Sequence, residues 1–439
     1  MPDRPMQAAI QQQAVRSGPR PLPLHLATAN LILLSSLAVW PSVRRGSPPW
    51  NLPWLNPAAQ DPLASLAPHL AAADPGEFTA ALMRASITRL TAMTGGMLRY
   101  RRHEGRRALP EPPEIWREGG SRLLDYGPAD APPLLMVPSL VNRAYVLDLA
   151  EGQSLARYLA GQNLRPLLLD WGEPGDAELR FDLDAYIARL NRALNHVRQS
   201  SGCAPLLLGY CMGGNLALAA ALRSPEDVAA LALLATPWDF HAGGAHQAAL
   251  VQALAPNLVP PPVKDDEPPP ALDVDVLQGF FWALDPLSAL KKFSMFVGMP
   301  EGGEGERRFV AMEDWINDGV KLAGPTARQC LLGWYGENTP PQGRWMVDGR
   351  AVRPQDWTKP ALVVLPERDK LVPKEGAAVL LAQLPAAERL DAPSGHVGMV
   401  VGPRAEAGLW QPLADWLQQR SQPVPKGRGR RRHGTKVRA

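Results

Sequence analysis

Residues 206–214 read Leu-Leu-Leu-Gly-Tyr-Cys-Met-Gly-Gly, and residues 215–220 continue Asn-Leu-Ala-Leu-Ala-Ala. An apolar run with the character of a buried strand ends at Gly209, and a small-residue helix pattern begins just after Gly214. This is the layout of a nucleophile elbow, with Cys211 at the tip. A tight strand-to-helix turn holds its central residue at unfavourable backbone angles, and Gly209 and Gly213 leave the space that side chains would fill. A thiolate at a helix N-terminus is also favoured by the positive end of the helix dipole. A free cysteine is often only a small buried hydrophobe. The strand, Gly-x-Cys-x-Gly-Gly and helix in series point instead to a nucleophile that forms a thioester intermediate.

An acid and a base follow in the order such a nucleophile requires. Ala361-Leu-Val-Val-Leu365, between Pro360 and Pro366, reads as a buried parallel strand. The loop after it carries Glu367-Arg-Asp-Lys370, and Asp369 is the favoured orienting carboxylate, with Glu367 its competitor. Further on, Pro393-Ser-Gly-His396 places a histidine in a turn-rich loop. The order Cys211, Asp369, His396 is the α/β-hydrolase order of nucleophile, acid and base. An oxyanion hole needs two backbone N–H donors. Met212, the residue after the nucleophile, supplies one. The other falls in the loop after the strand-like Leu134-Leu-Met-Val137. Pro138 has no N–H, so Ser139 or Leu140 is the candidate.

The bulk properties are those of an ordinary globular protein. The chain has 439 residues, 46% hydrophobic and 20% charged, enough for a large core and more than one average domain. Three cysteines (Cys203, Cys211, Cys330) argue against a disulfide framework and for a reducing, cytoplasmic setting. No internal repeat, metal-spaced His/Cys set or Gly-rich phosphate loop is present, so no metal or permanently bound cofactor is expected. The net charge of +3 hides a basic tail: residues 426–439 hold seven Lys/Arg and no acid. Such an arm binds anionic partners or simply solubilises a terminus. No specific nucleic-acid binding is expected.

Along the chain, residues 1–119 read as an N-terminal extension. Residues 1–23 are polar and Pro/Arg-rich, residues 41–62 are dense in proline, and 77–100 are helical. Between them, 26–40 form an apolar segment, short for a membrane span at 15 residues. A secretory signal, a helix lying on a membrane or granule surface, and packing against the body are its three readings. The stretch 101–118 reads as charged and turn-like. Strands and helices alternate over 120–239: a strand at 166–171, an amphipathic helix over 183–199 with Ile187, Leu190, Leu194 and Val197 on one face, and a strand at 228–234. This rhythm implies an α/β fold, a mostly parallel, doubly wound sheet. From 240 to 345 the rhythm breaks into a proline-rich, then helical and Trp-rich stretch (Trp282, Trp315, Trp334), read as an inserted helical cap. The core resumes over 346–418, and 419–439 is the basic tail.

Several segments resemble the polyhydroxyalkanoate synthases, especially the short two-subunit type within the α/β-hydrolase superfamily. They are Val137–Leu149, Leu169–Pro174, Leu234–Phe240, Phe309–Asp318, Trp334–Asn338 and Ser394–His396. The resemblance spans roughly residues 120–405. It implies a Cys211–Asp369–His396 triad that polymerises hydroxyacyl-CoA thioesters and releases CoA at a polyester granule surface, working with a second synthase subunit or as a homodimer. The family usually carries histidine directly after the catalytic aspartate; here it is Lys370. A polyester depolymerase or thioesterase using the same triad, and a non-catalytic granule-associated protein, are the rival readings.

Overall fold

Eight strands pair into one sheet. They are β1 (Glu114–Glu118), β2 (Ser121–Asp125), β3 (Pro133–Val137), β4 (Arg165–Asp170), β5 (Leu206–Tyr210), β6 (Leu231–Leu234), β7 (Ala361–Pro366) and β8 (Ala387–Ala392), in the spatial order β1-β2-β4-β3-β5-β6-β7-β8. This computed structural model describes residues 16–45, 68–243, 245–262 and 269–424. The basic tail from 426 onward, the first fifteen residues and most of the proline-dense 41–62 stretch lie outside the described residues.

β2 runs antiparallel to both β1 and β4, and every other pairing is parallel. β3, β5, β6 and β7 are buried along their whole length. Parallel strands covered on both faces have no solvent side, which is why these segments read as unbroken apolar runs. The expected α/β-hydrolase architecture is therefore the observed one. The helix Leu183–Ser201 is capped by Asp182, whose side chain accepts from the Ala185 N–H, and it ends on Gly202 at φ 74°. Its expected apolar face, Ile187, Leu190, Leu194 and Val197, is buried.

The register decides where chemistry can occur. Val137 lies opposite Gly209, Tyr210 opposite Leu234, Val364 opposite Leu234 and Pro366 opposite Ala392. The carboxyl ends of β3, β5, β6, β7 and β8 are thus level. The loops that leave them open on one edge of the sheet, the edge where open α/β sheets bind ligands.

Three expectations need correction. The sheet begins at Glu114, ahead of residue 120: the charged stretch ending at 118 contains edge strand β1, joined to β2 by the Gly119-Gly120 turn with Gly119 at φ 56°. An edge strand is half solvated, so its Glu and Arg residues do not exclude it. The apolar segment 26–40 sits within a longer helix, Leu22–Arg44, which includes Pro41. It is long and apolar enough to cross a membrane, so shortness no longer counts against a span. The 240–345 stretch does not act as one body. The chain packs as two compact units, Met1–Arg106 with Phe281–Asn317, and Arg107–Phe280 with Asp318–Ala439.

In the first unit, Phe293 and Phe296 of the helix Ser288–Phe296 are buried with Met93, Met97 and Tyr100 of the helix Pro75–Arg102, and Ala29 joins them from the helix Leu22–Arg44. Ser86 donates to the Leu33 carbonyl and Trp40 packs on Phe78, so the two long helices run antiparallel. Arg16, in the polar, Pro/Arg-rich stretch 1–23, is buried and pairs with Asp314. The second unit holds the whole sheet and its cluster of buried apolar residues.

Candidate active site

β5 ends at Tyr210, and the helix Met212–Arg223 starts two residues later. Cys211 between them has φ 56° and ψ −132°, a region few side chains adopt. The turn is held from both sides: the Cys211 N–H donates to the Leu234 carbonyl at 2.9 Å, and the Gly214 N–H donates to the Cys211 carbonyl at 2.8 Å. A Cβ on Gly209 would meet the Gly213 oxygen and the Gly214 nitrogen at 2.7 Å. One on Gly213 would collide with the carbonyl oxygen of Val137 and approach that of Pro138 to 2.6 Å. The glycines are there because backbone occupies the space.

The same contact places the expected oxyanion segments together. The loop after β3 lies against the first turn of the Cys211 helix, so Met212 and the Ser139–Leu140 pair belong to touching backbone segments. Trp171 fixes that loop by donating its Nε1–H to the Pro138 carbonyl at 3.1 Å. Within the loop, the Ser139 hydroxyl accepts from the Val141 N–H at 3.2 Å.

The expected acid and base meet. Nδ1 of His396 donates to Oδ2 of Asp369 at 2.6 Å. The Asp369 carboxylate is wholly enclosed, and its other oxygen accepts from the N–H groups of Leu371 (2.8 Å) and Val372 (2.9 Å). These bonds fix the carboxylate within its own turn, and Arg368 N–H to Ser394 O at 3.1 Å ties that turn to the histidine loop. Glu367, the competing acid, is exposed. With Nδ1 engaged, Nε2 is left for Cys211, which is hydrogen-bonded to the same ring. Burial opposes a charge on the imidazole. The Cys211 and Asp369 charges and their hydrogen bonds outweigh it and push His396 up to about 10. The array can thus take a proton from a thiol and hold it on a buried ring.

The other cysteines lie outside the array. Cys330 is buried with its thiol pushed up by desolvation, and Cys203 contacts the Ser201 hydroxyl. Lys370 is exposed beside Asp369. Among the described residues no group of His, Cys, Asp or Glu could hold a metal ion.

Sequence reasoning missed two sets of neighbours. The first is Tyr210, whose O–H donates to the His396 carbonyl at 3.2 Å. The second joins the loop after β6 to residues 334–338. Asp239 Oδ1 accepts from the N–H groups of His241 and Ala242 (3.0 Å each) and from Asn338 Nδ2 (2.9 Å), and Asn338 Oδ1 accepts from the Phe240 N–H at 3.0 Å. Phe240 stacks on Trp334 and meets Tyr335 edge-on. Burial, then the Cys211 charge, pushes the Tyr335 phenol up, so its ring stands within electrostatic reach of the nucleophile. Both segments had been singled out for their resemblance to a family, but nothing in their spacing shows that they touch.

Comparison with known proteins adds the following. A family model described as the alpha/beta hydrolase fold matches residues 132–403. The Poly(3-hydroxyalkanoate) polymerase subunit PhaC of Allochromatium vinosum is 30% identical over 293 residues, 66% of this chain and 81% of that protein. That of Synechocystis sp. is 31% identical over 306 residues, 66% of this chain and 78% of that protein. The protein of the same name from Haloferax mediterranei is 32% identical over 321 residues, and the match spans 70% of this chain and 64% of that protein's length.

Proposed function

The chain belongs to the poly(3-hydroxyalkanoate) polymerase family within the alpha/beta hydrolase fold, and on that premise we propose that it transfers hydroxyacyl groups from CoA thioesters to the hydroxyl end of a growing polyester. The observation that carries this reading is the array at the level strand ends: Cys211 at a strained elbow, His396 bonded to it, and Asp369 holding the far side of the ring.

In the first half-reaction, His396 Nε2 takes the Cys211 proton and the thiolate sulfur attacks the thioester carbonyl. The N–H of Met212 and that of Ser139 or Leu140 receive the developing oxyanion. As the tetrahedral intermediate collapses, the bond to CoA sulfur breaks. The imidazolium returns its proton to the departing thiolate, leaving free CoA and an acylated Cys211. In the second half-reaction, His396 takes the proton of an incoming hydroxyl and that oxygen attacks the enzyme thioester. The new ester forms, and Cys211 leaves and is reprotonated. Asp369 stays ionised and holds the ring tautomer throughout. Acyl-CoA is the substrate, and no resident cofactor enters either step. A thioester retains an activated acyl group, so a hydroxyl held in a site that excludes water competes with hydrolysis.

The setting we propose is cytoplasmic, at a polyester granule surface. The helix Leu22–Arg44 supports this: Leu31 and Leu34 are 71% and 53% exposed, and the exposed Asn30 and Ser35 turn their polar groups back onto the carbonyls of Leu26 and Ile32. The word subunit in the relatives' names supports a second synthase subunit as partner. A homodimer is the other arrangement, and co-purification separates the two.

The test supplies 3-hydroxybutyryl-CoA to purified protein and follows CoA, polymer and free hydroxyacid together. Polymer as the main product is expected. Stoichiometric free acid with no chain growth moves the assignment to a hydrolase, and no CoA release with Cys211 unlabelled leaves a non-catalytic granule protein.

A further inference from the structure

We propose that Tyr210 positions the base: its hydroxyl and ring hold His396 in register with the nucleophile. Cys211 leaves β5, whereas His396 lies in the loop after β8, with β6 and β7 between them in the sheet. Asp369 cannot set the distance between thiol and imidazole. It comes from the loop after β7, adjacent to the histidine loop, and fixes the ring only relative to that neighbour.

Tyr210 makes the missing connection. It is covalently bonded to Cys211, and it reaches across the strand ends to His396. Its O–H donates to the His396 carbonyl oxygen at 3.2 Å, and its ring centroid is 5.2 Å from the imidazole with 31° between the planes. The residue that carries the base is therefore held at its main chain, on its ring face and at Nδ1, and two of these three contacts come from Tyr210. The side chain is 3% exposed, and burial raises the phenol well above its ordinary value, so the O–H remains a donor across the working pH range. A buried tyrosine needs some acceptor. Here the acceptor is the main chain of the base itself, and the ring lies beside the imidazole that the hydroxyl anchors. The groups charged in the reaction that face His396 are Cys211 and Asp369; Tyr210 adds geometry without adding charge.

The inference deepens the polymerase reading, and its test includes a readout that needs no acyl-CoA. Tyr210→Phe keeps the ring and removes the hydroxyl, and Tyr210→Leu removes both. Alkylation of Cys211 by iodoacetamide is followed by peptide mass spectrometry across pH 5–10, beside steady-state turnover of 3-hydroxybutyryl-CoA. Tyr210→Phe should lower the Cys211 alkylation rate at neutral pH and kcat by about 3- to 10-fold, the worth of one neutral hydrogen bond, with KM unchanged. It should also displace the pH profile of alkylation, and Tyr210→Leu should lose more on each measure. Wild-type alkylation and turnover over the whole pH range, in a Tyr210→Phe protein that has lost only thermal stability, overturns the proposal. If the wild type alkylates faster than the variant but is never acylated by the CoA ester, the positioning role stands and the polymerase reading falls.

Discussion

Gly213 faces the carbonyl oxygen of Val137 and, beside it, that of Pro138, leaving no room for a Cβ between the turn that carries Cys211 and the loop that follows β3. Both neighbours are backbone, so neither can rotate away. The contact sets the spacing of the two segments that carry the proposed oxyanion donors, Met212 on one and Ser139 or Leu140 on the other.

Gly213→Ala is therefore expected to push these segments apart. The overpacking costs about 1–3 kcal/mol, seen as a lower Tm. Displacement of the order of an ångström lowers kcat/KM by about 100-fold. Circular dichroism confirms that the fold survives, and a folded variant with wild-type kcat/KM contradicts the assignment of this contact.

Asp369→Asn removes interactions that favour the charged form of His396, so the His396 value must fall in the variant. Because the wild-type value lies above that of free imidazole, the stabilising contribution is complete below about pH 6.5 and fades as pH rises toward about 10. The stability deficit of Asp369→Asn should accordingly be largest near pH 6 and close in alkali. Turnover should drop by about 10⁴-fold, as expected when the imidazole loses its orienting carboxylate. Denaturant titrations at several pH values, with an NMR titration of the His396 ring, check both. A deficit that widens in alkali has the wrong sign for this account.

Much of this site was legible in the sequence because its parts are local. The elbow is nine consecutive residues, Asp369 follows an apolar run that reads as a buried strand, and His396 stands in a short turn-rich loop further on. What joins the parts was not legible. The contact of Gly213 with Val137, the reach of Tyr210 to the His396 carbonyl and the bond between Asp239 and Asn338 all cross between strand ends that only the sheet order brings level. β1 was hidden because an edge strand tolerates the charges that make a segment look like a loop. Residues 281–317 fall in the stretch read as helical and Trp-rich, and such a pattern does not say what the helices pack against. Their partner proved to be the helix Pro75–Arg102, some two hundred residues earlier by the Arg99–Val297 bond.

Surface attachment gives a separate test. Burying one leucine side chain is worth about 1.5–3 kcal/mol, so the double variant Leu31→Ser, Leu34→Ser should release the protein from isolated polyester granules by more than about tenfold. Truncation after residue 425 should weaken binding further at low salt and make no difference at high salt. Co-sedimentation measures both. Undiminished binding of the combined variant would remove this helix and the basic tail from the account.

The central claim is that Cys211 carries the acyl group between CoA and the acceptor hydroxyl. Purified protein is mixed with 3-hydroxybutyryl-CoA, quenched within a turnover, digested under acid conditions that spare thioesters, and the Cys211 peptide is weighed. The account predicts one hydroxybutyryl unit on that peptide, with none on the Cys203 or Cys330 peptides and none in Cys211→Ala. CoA release at full rate with the Cys211 peptide unmodified, or an acyl group retained in Cys211→Ala, would contradict it.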